Sequence, residues 1–313
     1  VAGVLLLAGF SLLFVPQVHE PGALLWWAAG CLVVTYAAYS AISIAHQSWG
    51  AMLGGDALFR SRVVAWREGM GLVGVLLAAI TPGLFGVPVM LAILLVALVA
   101  GWWAWARAPR PEVSSVILRA SESGRVGGLY HPLRNADFRR LLGVYLLNGI
   151  ASAIPATLVL FFVQDRLQAN EAMQSAALGV YFLTGALSMP LWLRLVSHLG
   201  LARSWLVGMV LASDLSLPSA LLAGLIGRAG ERGKSEGAYF GWWNFATKLN
   251  LALAAGLALP LLGWLGYAPG ARDPHALALL TASYCLLPCA LKALAAAALQ
   301  IFIIQPAAQP HIP

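Results

Sequence analysis

Nine apolar stretches follow one another along this chain, at residues 1 to 15, 23 to 47, 63 to 81, 84 to 106, 139 to 163, 172 to 193, 204 to 226, 238 to 265 and 276 to 304. At 1.5 Å per residue, most are long enough to cross the roughly 30 Å hydrocarbon core of a bilayer as a helix. The spans from 89 to 105 and from 252 to 265 contain no Asp, Glu, Lys or Arg. Only helices can cross in this way, because an open strand would leave backbone amides and carbonyls unpaired in lipid. The pattern predicts an all-α fold, a polytopic transmembrane helical bundle. Pro and Gly mark turns at 16–22, 81–88 and 267–274.

Those three connections carry a single Arg, whereas four others are basic: Arg60 and Arg62; Arg107, Arg110, Arg119, Arg125, Arg134, Arg139 and Arg140; Arg194 and Arg203; Arg228, Arg232 and Lys234. The positive-inside rule places all four basic sets on the cytoplasmic side, as in a bacterial inner membrane, with the C-terminus also cytoplasmic. The longest polar segment, 107–138, reads as a basic cytoplasmic linker between the remainder of an N-terminal helical bundle, 1–106, and a C-terminal bundle, 139–313. One parity fault follows. The connections at 194–203 and 228–236 are both basic, yet one stretch lies between them, and 204–226 makes a helix of about 34 Å, enough for one passage. Either one connection is on the other face, or a further helix and turn of about 25–35 residues is missing near 210–214. The change there to Ser213-Asp214-Leu215-Ser216 favours the second reading.

Composition agrees with a lipid environment: 60% of the 313 residues are hydrophobic and 10% charged, against roughly 25% charged in ordinary soluble domains. The bilayer is the first partner. The net charge of +7 resides in short connections between apolar runs and so does not indicate nucleic acid. Cys31, Cys285 and Cys289 all fall in apolar runs and read as packing residues, with no metal site. The chain opens at Val1 in mid-helix, from which we expect an N-terminal portion to be absent. Paired acids, H-E-x-x-H and clustered His are all missing, so the expectation is a protein that is not an enzyme and carries no cofactor.

Four segments carry a more specific likeness. Asp56 is followed by Arg60 and then by Arg67-Glu68 in the third stretch; Asn135-Ala-Asp-Phe-Arg139-Arg140 opens the fifth. Asp214-Leu-Ser-Leu-Pro218 lies in the seventh, and Glu236 through Asn244 to Lys248, twelve residues after the Glu, opens the eighth. In this order they resemble the glycoside-pentoside-hexuronide:cation symporters, the melibiose-permease-like family of the major facilitator superfamily. The resemblance implies twelve helices in a two-bundle architecture. The nine here would be helices three to eight, a fused remnant of nine and ten, and eleven and twelve, with the carboxylate-bearing first two outside this sequence. It also implies a monomeric secondary transporter, coupling a sugar or glycoside-like solute to proton or sodium by alternating access. A non-transporting protein of the same fold and a transporter of a lysolipid-like amphiphile are the alternatives.

Ionisable groups inside a membrane helix are costly, so each one asks for a partner or a pathway. Lys248 lies about ten residues into its run beside Trp243 and Asn244, with Asn244 one turn away on the same face; the resemblance places a cavity lysine there. Arg67 resembles the family's substrate-contacting arginine, the alternative being a positive-inside anchor, and Glu68 is its adjacent ion-pair candidate. Asp214 is either the partner of Lys248 or the N-cap of the helix that follows. Tyr36, Ser40, Ser43 and Gln47 form a polar stripe at i, i+4, i+7 and i+11, and by the resemblance Ser43 replaces a carboxylate. His46 offers a protonatable group for coupling or an interfacial hydrogen bond. Asn148, with Ser152 and Pro155, marks the cavity side of the fifth stretch. Lys292 reads as structural, and Gly69, Gly71 and Gly74 as a site of close helix packing.

Overall fold

The computed structural model describes residues 1–109, 128–211 and 217–308. Asp214 and most of the linker, with Arg110, Arg119 and Arg125, lie outside the described residues. The described chain is helical, without strands: α1, Ala2–Phe14; α2, Pro21–Met52; α3, Ala57–Phe85; α4, Val87–Arg107; α5, Ala136–Phe161, continuing through one π turn, Phe162–Arg166; α6, Glu171–Leu199; α7, Leu201–Val210; α8, Leu217–Arg228; α9, Glu236–Trp264; and α10, Pro274–Ile304. Seven of these, α2 to α6, α9 and α10, are long and apolar enough to cross a membrane, while α1, α7 and α8 are shorter.

Local chemistry sets the boundaries. The Asp56 carboxylate accepts from the Phe59 N–H at 2.7 Å and starts α3 six residues before the apolar run, so Arg60 and Arg62 belong to its first turns and not to a connection. Asn135, Asn170 and Asp273 cap α5, α6 and α10 in the same way. Gly86 at φ +81° and Gly200 at φ +75° take left-handed conformations that let α4 and α7 follow their predecessors without a loop. The turn expected at 81–88 is therefore reduced to Gly86, and Pro82 lies inside α3. Pro155 likewise sits inside α5, whose backbone stays helical across it. Hydroxyls within the helices bond back one turn, as Thr81 to the Leu77 carbonyl at 2.6 Å.

Two ends are distinguishable. At one, His131 pairs with Glu231 at 3.2 Å, Trp242 donates to the Leu129 carbonyl, Trp49 donates to the Pro109 carbonyl, and Arg232 reaches Gly54. The described parts of three basic connections thus meet at this end. At the other end the Asp165 carboxylate, 1% exposed, accepts from the Tyr267 hydroxyl at 2.6 Å and the Gly270 N–H at 2.8 Å. Burial, then the hydrogen bond to Asp165 and its charge, push the Tyr267 phenol far above its ordinary value.

α5 is the central element, with α9 and α10 packed along it; α1 packs on α2, and α3 on α4. The two parts of the chain meet where α2 lies on α9 and α3 lies on α6 and α8. A large core around Phe138, Trp205, Leu222, Tyr239 and Leu299 fills the basic end, and a smaller one around Leu158, Tyr267 and Leu280 the other. In α1 to α4 few residues are buried, and their exposed Leu, Val and Ile form the surface expected against lipid. Trp26, Trp102 and Trp264 are exposed near helix ends, the level of the interfacial aromatic belts.

Two expectations change. Gly69, Gly71 and Gly74 have open space where a Cβ would stand, so they are not points of close helix packing within this chain. The stretch 204–226 is not one 34 Å helix; it divides into α7 and α8, about 15 and 18 Å long at 1.5 Å per residue. Both sit in the core at the basic end, and Leu201 and Arg228 both lie at that end. The chain thus enters and leaves on one face.

Candidate functional site

The site lies where α2 meets α9. The polar stripe of α2 faces across this junction: Lys248 donates from Nζ to the Ser40 hydroxyl, and Ser40 in turn donates to the Tyr36 carbonyl at 2.5 Å. The same ammonium lies 6.0 Å from the Tyr36 ring centroid and 5.7 Å from that of Tyr39, within cation–π range of both. One turn toward the basic end, Asn244 donates to the Gln47 side chain at 3.3 Å and to the Phe240 carbonyl at 3.0 Å. These two side-chain pairs bridge residues more than 190 apart in sequence. Ser43, between Ser40 and Gln47 on the stripe, is half-buried.

A small cleft continues from this layer toward the basic end, lined by His46, Gln47, Arg60, Arg67, Ser219 and Phe240 among others. Arg67 forks its Nε and Nη2 onto one oxygen of Glu68, at 3.2 and 2.7 Å, so the two candidates neutralise one another at the cleft wall. His46 packs among rings, 5.9 Å from Trp49 and 5.5 Å from Trp105.

Two expected residues lie elsewhere. Trp243 is 2% exposed and stacks on Tyr145 at 3.7 Å, so it supports α9 against α5 and does not face the cleft. Asn148, also buried, accepts from Lys292 Nζ at 3.1 Å and faces α10. That bond gives Lys292 an amide partner inside the membrane. The position of Asp214 opposite Lys248 lies outside the described residues. Sequence reasoning did not identify Tyr39 or the part Arg60 plays in the cleft. Tyr39 is one residue off the stripe, and the early start of α3, signalled only by its Asp56 cap, is what turns Arg60 inward. Among the described residues no group of His, Cys, Asp and Glu is arranged to hold a metal ion.

The sequence model of the MFS/sugar transport protein family matches residues 1–227 and 216–305, nearly the whole chain. The chain belongs to this family. A member of the MFS/sugar transport family is an integral membrane transporter, which agrees with seven membrane-length helices and a polar layer at the junction of two helical parts. A search of the curated proteins finds no match to the chain.

Proposed function

We propose that this transporter carries out cation-coupled symport of a sugar or glycoside-like solute by alternating access, with α1 to α4 rocking against α5 to α10. The observation that carries the reading is the Lys248–Ser40 hydrogen bond between α9 and α2, flanked by Tyr36, Tyr39 and the Asn244–Gln47 pair. Amide, hydroxyl and ammonium groups aimed at one place, with aromatic faces beside them, suit a polyhydroxylated solute, since hydroxyls pair with the former and sugar C–H faces stack on the latter. Such contacts exchange for water at small net cost, about 1 kcal/mol per hydrogen bond, so a junction held by them can open. His46 and Glu68 are the groups assigned to coupling, with proton or sodium as the ion, and Arg67, which pairs with Glu68 at the cleft wall, is assigned to the solute. Asp214 is assigned the partner of Lys248.

The protein works as a monomer in a bacterial cytoplasmic membrane, its basic end and C-terminus inside. The resemblance supports reading α7 and α8 as a shortened form of two full crossings, and the two family matches overlap at residues 216–227. The test is uptake of radiolabelled glycosides into proteoliposomes under an imposed proton or sodium gradient. Lys248→Ala should lower uptake to the level of empty vesicles with insertion unchanged. Wild-type uptake by that variant, or uptake of a lysolipid and no sugar by the unaltered protein, overturns the proposal.

A further inference from the structure

We propose that Arg60, Arg228 and Arg232 form an oxyanion site at the basic end of the molecule, separate from the Lys248 layer and built for a phosphate-type group. The three come from different segments: Arg60 from the first turn of α3, Arg228 from the end of α8, and Arg232 from the connection after it. Arg228 and Arg232 each lie within electrostatic range of Arg60. Their seating is specific. The Arg60 Nη2 lies 3.2 Å from where a Cβ of Gly224 would stand, and the Arg232 Nη2 lies 2.6 Å from that of Gly227. Gly224 and Gly227 are three residues apart on one face of α8, so the helix offers two guanidinium-sized recesses side by side. Arg232 also rests against Gly54, at 3.0 Å from its Cβ position.

None of the three takes part in a salt bridge among the described residues. Asp56 and Glu236 are within electrostatic range, but the Asp56 carboxylate is engaged by the Phe59 N–H and the Glu236 carboxylate by the Gly233 N–H. Arg60 Nη1 donates to the Gly55 carbonyl at 2.6 Å, while its Nε is enclosed with no hydrogen-bond partner. A buried donor left in that state is costly, and the like charges of three arginines repel where only two carboxylates lie within range and neither forms a salt bridge with them. The partly negative C-terminal end of α8 offsets part of that repulsion. An oxyanion would take the outward guanidinium donors of Arg232 and Arg228, draw the Arg60 guanidinium toward it and neutralise the remaining charge. At the level of the basic interface, this group can come from an anionic lipid headgroup or from free phosphate.

The experiment uses the purified full chain and two probes. Inorganic phosphate is titrated in neutral detergent by calorimetry, and thermal unfolding is followed in phosphatidylcholine nanodiscs with and without phosphatidylglycerol. Saturable phosphate binding assigns a free anion; stabilisation by phosphatidylglycerol alone assigns a headgroup. In either case Arg60→Gln and Arg232→Gln should each weaken the effect about tenfold. Arg62→Gln, which removes an equal charge from an exposed neighbour, should leave it unchanged. Gly227→Ala keeps every charge and suits a helix, but its methyl displaces Arg232, so it should weaken binding as Arg232→Gln does. Failure of both probes, or an equal loss with Arg62→Gln, overturns the site.

Discussion

Gly149 on α5 lies directly against Asn250 of α9. A Cβ built there would overlap the side-chain amide of Asn250 on α9, and Asn250 is 4% exposed with its Oδ1 lacking a hydrogen-bond partner among the described residues. Gly149→Ala must therefore move a buried amide. Overpacking of this kind costs about 1–3 kcal/mol, against which the better helix propensity of Ala returns at most about 1 kcal/mol. The neighbour one turn back on that face resists the shift, since Tyr145 bonds Thr247 of α9 at 2.8 Å. The net loss should be about 1–2 kcal/mol, near the upper end of the difference because the overlap involves both Nδ2 and Cγ of Asn250. Asn250→Ala removes the obstacle. In that background Gly149→Ala should cost nothing or stabilise, giving a coupling of about 1–3 kcal/mol between the two sites. Equilibrium unfolding of the four proteins in one detergent measures this cycle. Equal cost of Gly149→Ala in both backgrounds would refute the packing argument.

Trp205 is fully enclosed in the core at the basic end, so Trp205→Ala should lose about 3–5 kcal/mol in the same unfolding assay, within the range for deleting a buried aromatic. Asp165→Asn breaks the paired acceptance from Tyr267 and Gly270; we expect a loss of about 1–3 kcal/mol, and a much smaller effect once Tyr267→Phe is already present. The Glu231 carboxyl feels burial, which raises it, but hydrogen bonds from Ser235 and His131 and the charges of His131 and Lys234 hold it below its ordinary value of 4.5. Its contribution is thus complete above that value and is lost as the pH falls through the lower folded value, since the unfolded chain then binds the proton more readily. In acid titrations of stability, Glu231→Gln should remove this part of the slope; an unchanged slope would show that the His131–Glu231 contact does no such work.

The spans were legible because lipid demands uninterrupted apolar length, and length survives any detail of packing. α2, α4, α9 and α10 accordingly fall within a few residues of the runs that predict them. The start of α3 was not read correctly, since helix onset there depends on one Asp56 hydrogen bond and not on hydropathy. Within the site, the stripe from Tyr36 to Gln47 and the Lys248–Asn244 face were visible from spacing, because 3.6-residue periodicity places them without knowledge of neighbours. Which face of a residue meets which helix was not visible. Trp243 and Asn244 are adjacent, yet one stacks on Tyr145 of α5 and the other reaches Gln47 of α2. Only the rotation of α9 between its two partners decides that, and no local pattern encodes it.

The parity fault has a physical resolution in the burial of α7 and α8. A pair of half-length helices inside a membrane leaves helix-terminal backbone groups at depth, where lipid offers them no partner, so such a pair persists only where protein covers it. That condition is met: every residue from Leu217 to Ile226 is buried, and α7 buries Leu201, Ser204, Trp205, Gly208 and Met209. The cover comes from α3, α5, α6 and α10. The unusual apolar enclosure of α8 is therefore what a helix that stops short requires, and its glycines at 224 and 227 are free to receive arginines because the helix ends at the charged face. A charge pattern counted over full crossings could register this only as a contradiction, since the rule it uses has no term for a segment that returns to the side it left.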